Sequence, residues 1–557
     1  MKFKSISSDL LVTIVTLVAA FAAVTAAMAS QQTGPGFERY DQAYPEPYPY
    51  PLAYAYNTVR VSVASGGIQA NEPSFRPSIS ADGRYVAFDS SASNLVADNM
   101  GQAYGIFIHD VHSRVTTRLP LAFDRPVLWP ILSSDARYVV FSVYPGDDDQ
   151  LSDIYVHDRD TGQTSLVSVA YDSTKAVGYS TSYSISDDGR YVSFSSDADN
   201  LVMNDTNGNK DVFVRDLQNG ETLRVSVDLN GAQANDDSYI SSISANGRYV
   251  AFFSTASNLV AGDTNGIEDF FVHDCQTGET SLVSVASDGT QANGASHHGV
   301  SISADGRYVA FESFASSLVA GDTNGMQDIF IHDRQSGQTS RISIASDGTQ
   351  ANGDSYNPSI SDDGRFVAFE SSASTLAAGI ESTWSRNIFI HDRQTGQTTL
   401  IPAGPQGFYP NLGTHSPSIS ANGRAIAFDS YASNLVVDDT NGFQDIFVYE
   451  NLGKLSPADG ATTMPLLLSL SWQASASAAS YEYCYSAAPG PCTKWNPVGT
   501  NTSVTLSGLA PGHTYYWQAR AVNPGGVIEA DAATWWSFTA TATPACTFAP
   551  YTPPSTP

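Results

Sequence analysis

One short phrase constrains this chain more than any other feature. "SISADGRYVAF" begins at Ser78, with close variants at Ser184, Ser242, Ser301, Ser359 and Ser418 and a worn copy, "ILSSDARYVVF", at Ile131. The arginines of the phrase are Arg84, Arg137, Arg190, Arg248, Arg307, Arg365 and Arg424, so seven units follow one another at spacings of 53 to 59 residues. A sustained period of that length signals a circular or stacked array of one supersecondary unit.

Each unit predicts four strands. "PSIS" is the first. Asp-Gly or Asn-Gly then marks a tight hairpin turn, expected to hold both central residues at positive φ. "RYVAF" alternates as a half-buried second strand does. "DIFIHD" is the third, "RQTGQ" a turn, and "TSRISIAS" the fourth. Seven such units with no helical period predict an all-β chain, a seven-bladed β-propeller. A β-solenoid is the alternative, but its coils are usually shorter. The phase of the repeat favours a ring. The last unit ends at "DIFVYENLGKLSPADG" without a fourth strand, whereas "TVRVSVASGGIQANEPSFRPSIS", from Thr58, supplies a fourth strand and connector ahead of the first unit. Pairing the two closes the ring and removes two exposed edges.

On these motifs the units resemble the WD40-like repeats of TolB-type propellers. "DIFIHDRQTGQ" stands where a WD repeat carries its Trp-Asp strand end, and the resemblance covers residues 58–453. It implies a fold more than a function, because the architecture hosts many unrelated roles. After Ser456 the composition changes. "LAPGHTYYWQARAVN" resembles the tyrosine-corner stretch of a fibronectin type III domain, which implies a C-terminal β-sandwich over residues 456–541 with Trp472 in its core. Trp535 and Trp536, adjacent on the last strand, are expected to point to opposite faces, one into the core.

The termini read differently. Residues 1–29 have the basic start, apolar run and Ala27-Met28-Ala29 site of a secretory signal peptide, with an uncleaved anchor as the alternative. Residues 30–57 form a Pro/Tyr-rich linker, and 542–557 a Pro/Thr-rich tail. The formal net charge of −29 opposes nucleic acid and anionic membrane as partners. Of the four cysteines, Cys484 and Cys492 are near enough to close a small loop, Cys275 and Cys546 stand apart, and none has zinc-site spacing.

Four loops between second and third strands read "DTNGxxD". They offer Asp205, Asn207 and Asp211; Asp263, Asn265 and Asp269; Asp322, Asn324 and Asp328; and Asp439, Asn441 and Asp445. Oxygens at positions one, three and seven around a bend-permitting glycine suit calcium. An Asn-Gly turn kept soluble by its aspartates explains the same residues. Both readings stay open.

His109-Asp110, His157-Asp158, His273-Asp274, His332-Asp333 and His391-Asp392 look like dyads, but neighbours on a strand point to opposite faces, so structural roles are expected. His297 and His298 interrupt a connector and are candidates for metal or acid–base work. No hydrolase elbow, zincin, Walker or dinucleotide motif occurs.

An enzyme should break the repeat at one place with clustered His, Arg, Glu or Asp. The visible breaks, in the first, second and sixth units, are not rich in such clusters, which favours binding. The expectation is therefore a secreted or cell-surface, non-enzymatic module with no catalytic residues assigned, binding a protein or polysaccharide, with calcium at the four acidic loops as a candidate stiffener. An extracellular carbohydrate-active lyase or hydrolase is the alternative, and an anchored structural protein a third reading.

Overall fold

The computed structural model describes residues 58–541 apart from 98–103, 145–151, 378–379, 381–384, 402–408, 476–477, 489–493, 524–525 and 531–534. The expected signal segment, linker, tail, Cys492 and Cys546 lie outside the described residues. The described part is all-β, without an α-helix, and contains seven four-stranded antiparallel sheets, an arrangement consistent with a β-propeller.

The first sheet shows the plan. Ser74–Ile79, Tyr85–Ser90, Gly105–Asp110 and Val115–Arg118 pair in that order. Alternation places Phe88 opposite Phe107, and the two rings stack with centroids 5.9 Å apart. The same pair recurs as Phe194–Phe213, Phe252–Phe271, Phe311–Phe330, Phe369–Phe389 and Phe428–Phe447. Each buried phenylalanine contributes about 1.5–3 kcal/mol of transfer free energy, so this recurring pair joins the phrase to the third strand of its sheet.

The seventh sheet is completed from the other end of the chain. Thr58–Arg60 pairs antiparallel with Asp445–Glu450, placing Thr58 opposite Tyr449 and Arg60 opposite Phe447. First strands of successive sheets contact one another in order, and the seventh meets the first. One serine of the phrase makes six of the seven junctions, the second unit having Ile131 in its place. Ser78 Oγ accepts the N–H of Leu132 (3.0 Å), Ser359 Oγ that of Ile419 (3.2 Å), and Ser418 Oγ that of Ile79 (3.1 Å). Backbone bonds repeat the circuit, including Asp362 to Ala421 (3.0 Å) and Ala421 to Ala81 (3.1 Å).

The hairpin turn differs from expectation. Only its glycine has positive φ, +77° at Gly83, and the Gly83 N–H donates to Ser80 O at 2.9 Å. Asp82 instead accepts from Ser80 Oγ (2.6 Å) and the Arg84 N–H (2.9 Å), so it acts as a side-chain brace. The glycine is also needed for space: a Cβ at Gly189 would lie 2.0 Å from the Tyr138 ring of the preceding sheet.

Beyond Gly453 lie a three-stranded and a six-stranded sheet around one core containing Trp472, Trp517 and Phe538. The Tyr515 hydroxyl accepts the Ala510 N–H at 2.9 Å. Trp536 packs against that core, edge-on to Trp517, while Trp535 is half-buried. Cys484 is disulfide-bonded.

Candidate functional site

The four "DTNGxxD" loops share one internal geometry. In the third sheet Asn207 Oδ1 accepts the N–H of Asn209 (3.3 Å), closing an Asx turn. Its Nδ2 donates to Asp211 Oδ2 (3.0 Å) and to the Ala234 carbonyl (3.1 Å), and Ser226 Oγ donates to Asp211 Oδ1 (2.5 Å). A guanidinium then joins both acids: Arg224 Nη1 lies 2.7 Å from Asp205 Oδ1 and 2.9 Å from Asp211 Oδ2. Arg341 does the same for Asp322 (3.0 Å) and Asp328 (3.2 Å), beside Asn324. Arg60, from the N-terminal strand, does it for Asp439 (2.9 Å) and Asp445 (3.3 Å), beside Asn441. In these three loops a guanidinium nitrogen holds the point where the carboxylates converge, and the asparagine oxygen faces its own backbone. Both oxygens of the last aspartate, one oxygen of the first and the asparagine oxygen are engaged in these bonds.

The fourth loop departs from the others. Asn265 Nδ2 still donates to Asp269 Oδ2 (2.7 Å) and Ser284 Oγ to Asp269 Oδ1 (2.6 Å). The residue opposite Phe271, which corresponds to Arg224, Arg341 and Arg60, is Leu282. Burial, reinforced by Asp263, pushes the Asp269 carboxyl up to about 6. Among the described residues, no group of three or more His, Cys, Asp or Glu side chains is placed to hold a metal ion.

The His-Asp pairs divide their labour as strand geometry requires. His109 Nδ1 meets Thr116 Oγ1 at 2.8 Å, and that hydroxyl donates to the Val63 carbonyl. His273 and Thr280 repeat this against Val227. Burial lowers the His109, His273 and His391 imidazoles to about 4, which keeps them neutral. The aspartates point the other way, onto the arginine of the repeated phrase: Arg84 Nη2 is 2.7 Å from Asp110 Oδ2, as are Arg307 from Asp333 and Arg365 from Asp392. His297 and His298 lie on the strand Ser296–Ile302 where its register shifts, and their side chains are outside the described structure.

The repeat is broken elsewhere, inside the strands. Directly after the phenylalanine of the phrase the units read Asp89, Ser142, Ser195, Phe253, Glu312, Glu370 and Asp429. The four acids belong to sheets that neighbour one another in ring order: fifth, sixth, seventh, first. Exposure is 0% for Asp89, 3% for Glu312, 2% for Glu370 and 3% for Asp429. Three of them bridge to the next sheet, where its first strand bulges. Glu312 Oε2 accepts the N–H of Asn357 (2.9 Å), Glu370 Oε1 that of Ser416 (2.9 Å), and Asp89 Oδ1 that of Trp129 (3.3 Å). Those bulge residues hold φ of 51°, 56° and 55°, a strained setting for non-glycine residues.

Cations gather on the same arc. Arg76 Nη1 lies 3.1 Å from Asp89 Oδ2, His415 Nδ1 3.3 Å from Glu370 Oε2, and Arg386 Nη1 3.5 Å from the same oxygen. Burial raises Asp89 to about 7 and Asp429 to about 6. Burial acts the same way on Glu370, but the bonds from His415, Asn357 and Ser416 outweigh it and hold the carboxyl below its ordinary value. The bond to Glu370 raises His415. Two residues past the acid layer stand exposed aromatics, Tyr144 (47%), Phe314 (40%) and Tyr431 (50%). Trp129 lies 6.1 Å from Tyr144, with the Arg76 guanidinium 4.3 Å from its ring.

This corrects the expectation that the repeat lacks a break rich in His, Arg, Glu and Asp. The break was missed because it replaces strand residues and leaves loop lengths untouched. Its signal was the run of acids in consecutive units at a position hydroxyls or phenylalanine fill elsewhere.

No protein-family model matches the sequence, and no curated protein matches it. Solved structures similar to the chain include an oligogalacturonate lyase from Vibrio parahaemolyticus, 11% identical over 71% of this chain and 93% of that one, with a TM-score of 0.45. An oligogalacturonate lyase in complex with manganese is 13% identical over 71% of this chain and 92% of that one, TM-score 0.45. TolB from Acinetobacter baumannii is 17% identical over 65% of this chain and 86% of that one, TM-score 0.34.

Proposed function

We propose that the chain is a secreted, non-enzymatic binding protein that presents the acidic, aromatic end of its sheets to a polysaccharide. In this reading the seven sheets are the blades of a propeller closed by Thr58–Arg60, and the C-terminal sheets form a fibronectin type III-like sandwich that acts as spacer or second contact. One observation carries the reading. The arc from Glu312 through Glu370 and Asp429 to Asp89 breaks the repeat, and the exposed rings of Phe314 and Tyr431 stand two residues beyond two of its acids. Buried polar groups that hold orientation next to solvent-facing rings are the usual furniture of a saccharide site. The net charge of −29 disfavours polyuronates and other polyanions as ligands. The test is isothermal titration of the full chain with neutral, cationic and anionic oligosaccharides. Trp129→Ala should weaken binding by about tenfold, as expected for loss of an aromatic anchor. Equal affinity in that variant removes the site from the arc.

The enzymatic alternative keeps two supports, the first being that the arc gathers Asp, Glu, Arg and His at one break of the repeat. Glu370 is held ionised against His415 while Asp429, close enough to feel both, is raised, and carboxyls pushed apart in this way suit acid and base roles. Incubation with the same glycans, followed by assay for new reducing ends and for unsaturated ends, separates hydrolase, lyase and pure binder.

A further inference from the structure

The C-terminal sheets bring together two side chains that neither proposed activity uses. Lys454 opens the strand Lys454–Ser456, directly after the repeat ends, and stands opposite Trp472. Among the described residues it is the only buried lysine, 3% exposed. Its Nζ lies 5.3 Å from the Trp536 ring and 5.7 Å from that of Trp517. The same nitrogen is 2.9 Å from Gln518 Oε1, on the strand Thr514–Asn523. Gln518 is fully buried, and both ends of its carboxamide are fixed. Oε1 also accepts the Ala519 N–H (2.9 Å), and Nε2 donates to the Ala530 carbonyl (3.1 Å). The amine is thus held beside an oxygen that is one bond from the amide carbon. Shielded from water, such a pair reacts as one molecule rather than by collision.

We infer that Lys454 and Gln518 are joined in the folded protein by an amide bond between Nζ and Cδ, a self-formed crosslink within the C-terminal sheets. The Nζ–Cδ bond forms and the Cδ–Nε2 bond breaks. The lysine ammonium gives up two protons, Nε2 takes both, and it departs as an ammonium ion. No oxidant, reductant or second substrate is consumed. The Ala519 N–H, already on Oε1, meets the charge that builds on that oxygen as the carbon becomes tetrahedral. Glu529 is the carboxyl assigned to carry the protons. It lies opposite Arg520, on the face of the sheet that Gln518 shares. Burial raises its carboxyl, and Arg520 and then Lys454 draw it back, so the lysine is within its electrostatic reach. The product also removes an ammonium from a site where a charge is costly to keep. It ties the first strand beyond the repeat to a strand 64 residues onward, as a disulfide would, but immune to reductant.

The test is a mass measurement on the full chain, unfolded, reduced and digested with trypsin. Unjoined, the region is cut after Lys454, Lys494 and Arg520. Joined, it loses the cut after Lys454. Residues 425–494 and 495–520 then appear as one branched peptide, lighter by one ammonia, about 17 Da, than the two together. Prior reduction excludes the Cys484 disulfide as the link. Lys454→Arg keeps a cation and a donor but has no amine to join, and should give only separate peptides. Glu529→Gln should slow the joining by about a hundredfold, the usual share of a positioned acid–base group, seen as joined and separate peptides in one preparation. A parent chain cut after Lys454, with no branched peptide, overturns the inference, and that result needs no variant to fold. A branched peptide that survives Lys454→Arg puts the bond on other side chains and overturns it as well. Full joining in Glu529→Gln overturns the part given to that carboxyl.

Discussion

The fourth and fifth sheets carry almost the same loop, "SNLVAGDTNGIEDFFVHD" in one and "SSLVAGDTNGMQDIFIHD" in the other. Both close an Asx turn on their asparagine, and both receive a serine hydroxyl on the last aspartate. They differ in what stands across from them: Arg341 clamps the fifth loop, and Leu282 faces the fourth. An acidic loop is thus completed, or left incomplete, by a residue on another strand. The same loop sequence carries a neutralised ion cluster in one sheet and an uncompensated pair of acids in the next.

The clamp matters most where it also joins the two ends of the repeat. Arg60 lies on the N-terminal strand, and it holds Asp439 and Asp445 at the far end of the repeat, assisted by Ser62 on Asp445. Removing one member of a buried pair strands the other, which costs on the order of 3–5 kcal/mol. Arg60→Leu should therefore lower the thermal midpoint more than any other clamp substitution, and should expose the N-terminal strand to proteolysis. Arg341→Leu, within one sheet, should lower the midpoint without that exposure. Equal behaviour of the two would remove the seam's special status.

Supplying the missing cation should work in the opposite direction. In the folded chain Asp269 sits at about 6, above the ordinary carboxylate value near 4. The folded state therefore binds the extra proton between those values, and stability falls as pH rises through that window. The full cost, about 3 kcal/mol, is present above the upper end. Leu282→Arg should recover about 2 kcal/mol of it at pH near 7.5 and flatten the decline, as read from melts at several pH values. A variant as pH-sensitive as the parent would show that the guanidinium does not reach the acids from that position.

What the sequence disclosed follows from which forces are local. The strands, the stacked phenylalanines and the out-of-phase first strand are written as alternation and period, so the pairing of Thr58–Arg60 with Asp445–Glu450 was legible before any coordinates. The clamps were not. Arg224 lies thirteen residues past Asp211, in a strand whose register alone brings it back. The arc stayed hidden for a related reason: Asp89 and Asp429 sit in strands that otherwise read as apolar, and their partners Trp129, Ser416 and Gln444 come from other strands or the next sheet. Inter-sheet bonds leave no mark in a pattern read one unit at a time.

Calcium gives the smallest and most discriminating expected effect. The ion takes six to eight oxygens, and an open loop with two carboxylates gives too few to bind tightly. A ligand of the folded state raises its stability only as the logarithm of its concentration over Kd. Millimolar calcium against chelator should then shift the parent's melting by less than about a degree. In the three clamped loops the guanidinium would have to leave first, so they should not respond. A rise of several degrees in the parent that disappears in Leu282→Arg would place an ion between Asp263 and Asp269. The same rise persisting in that variant would mean that calcium can displace an arginine elsewhere, and the distinction between clamped and open loops would fail.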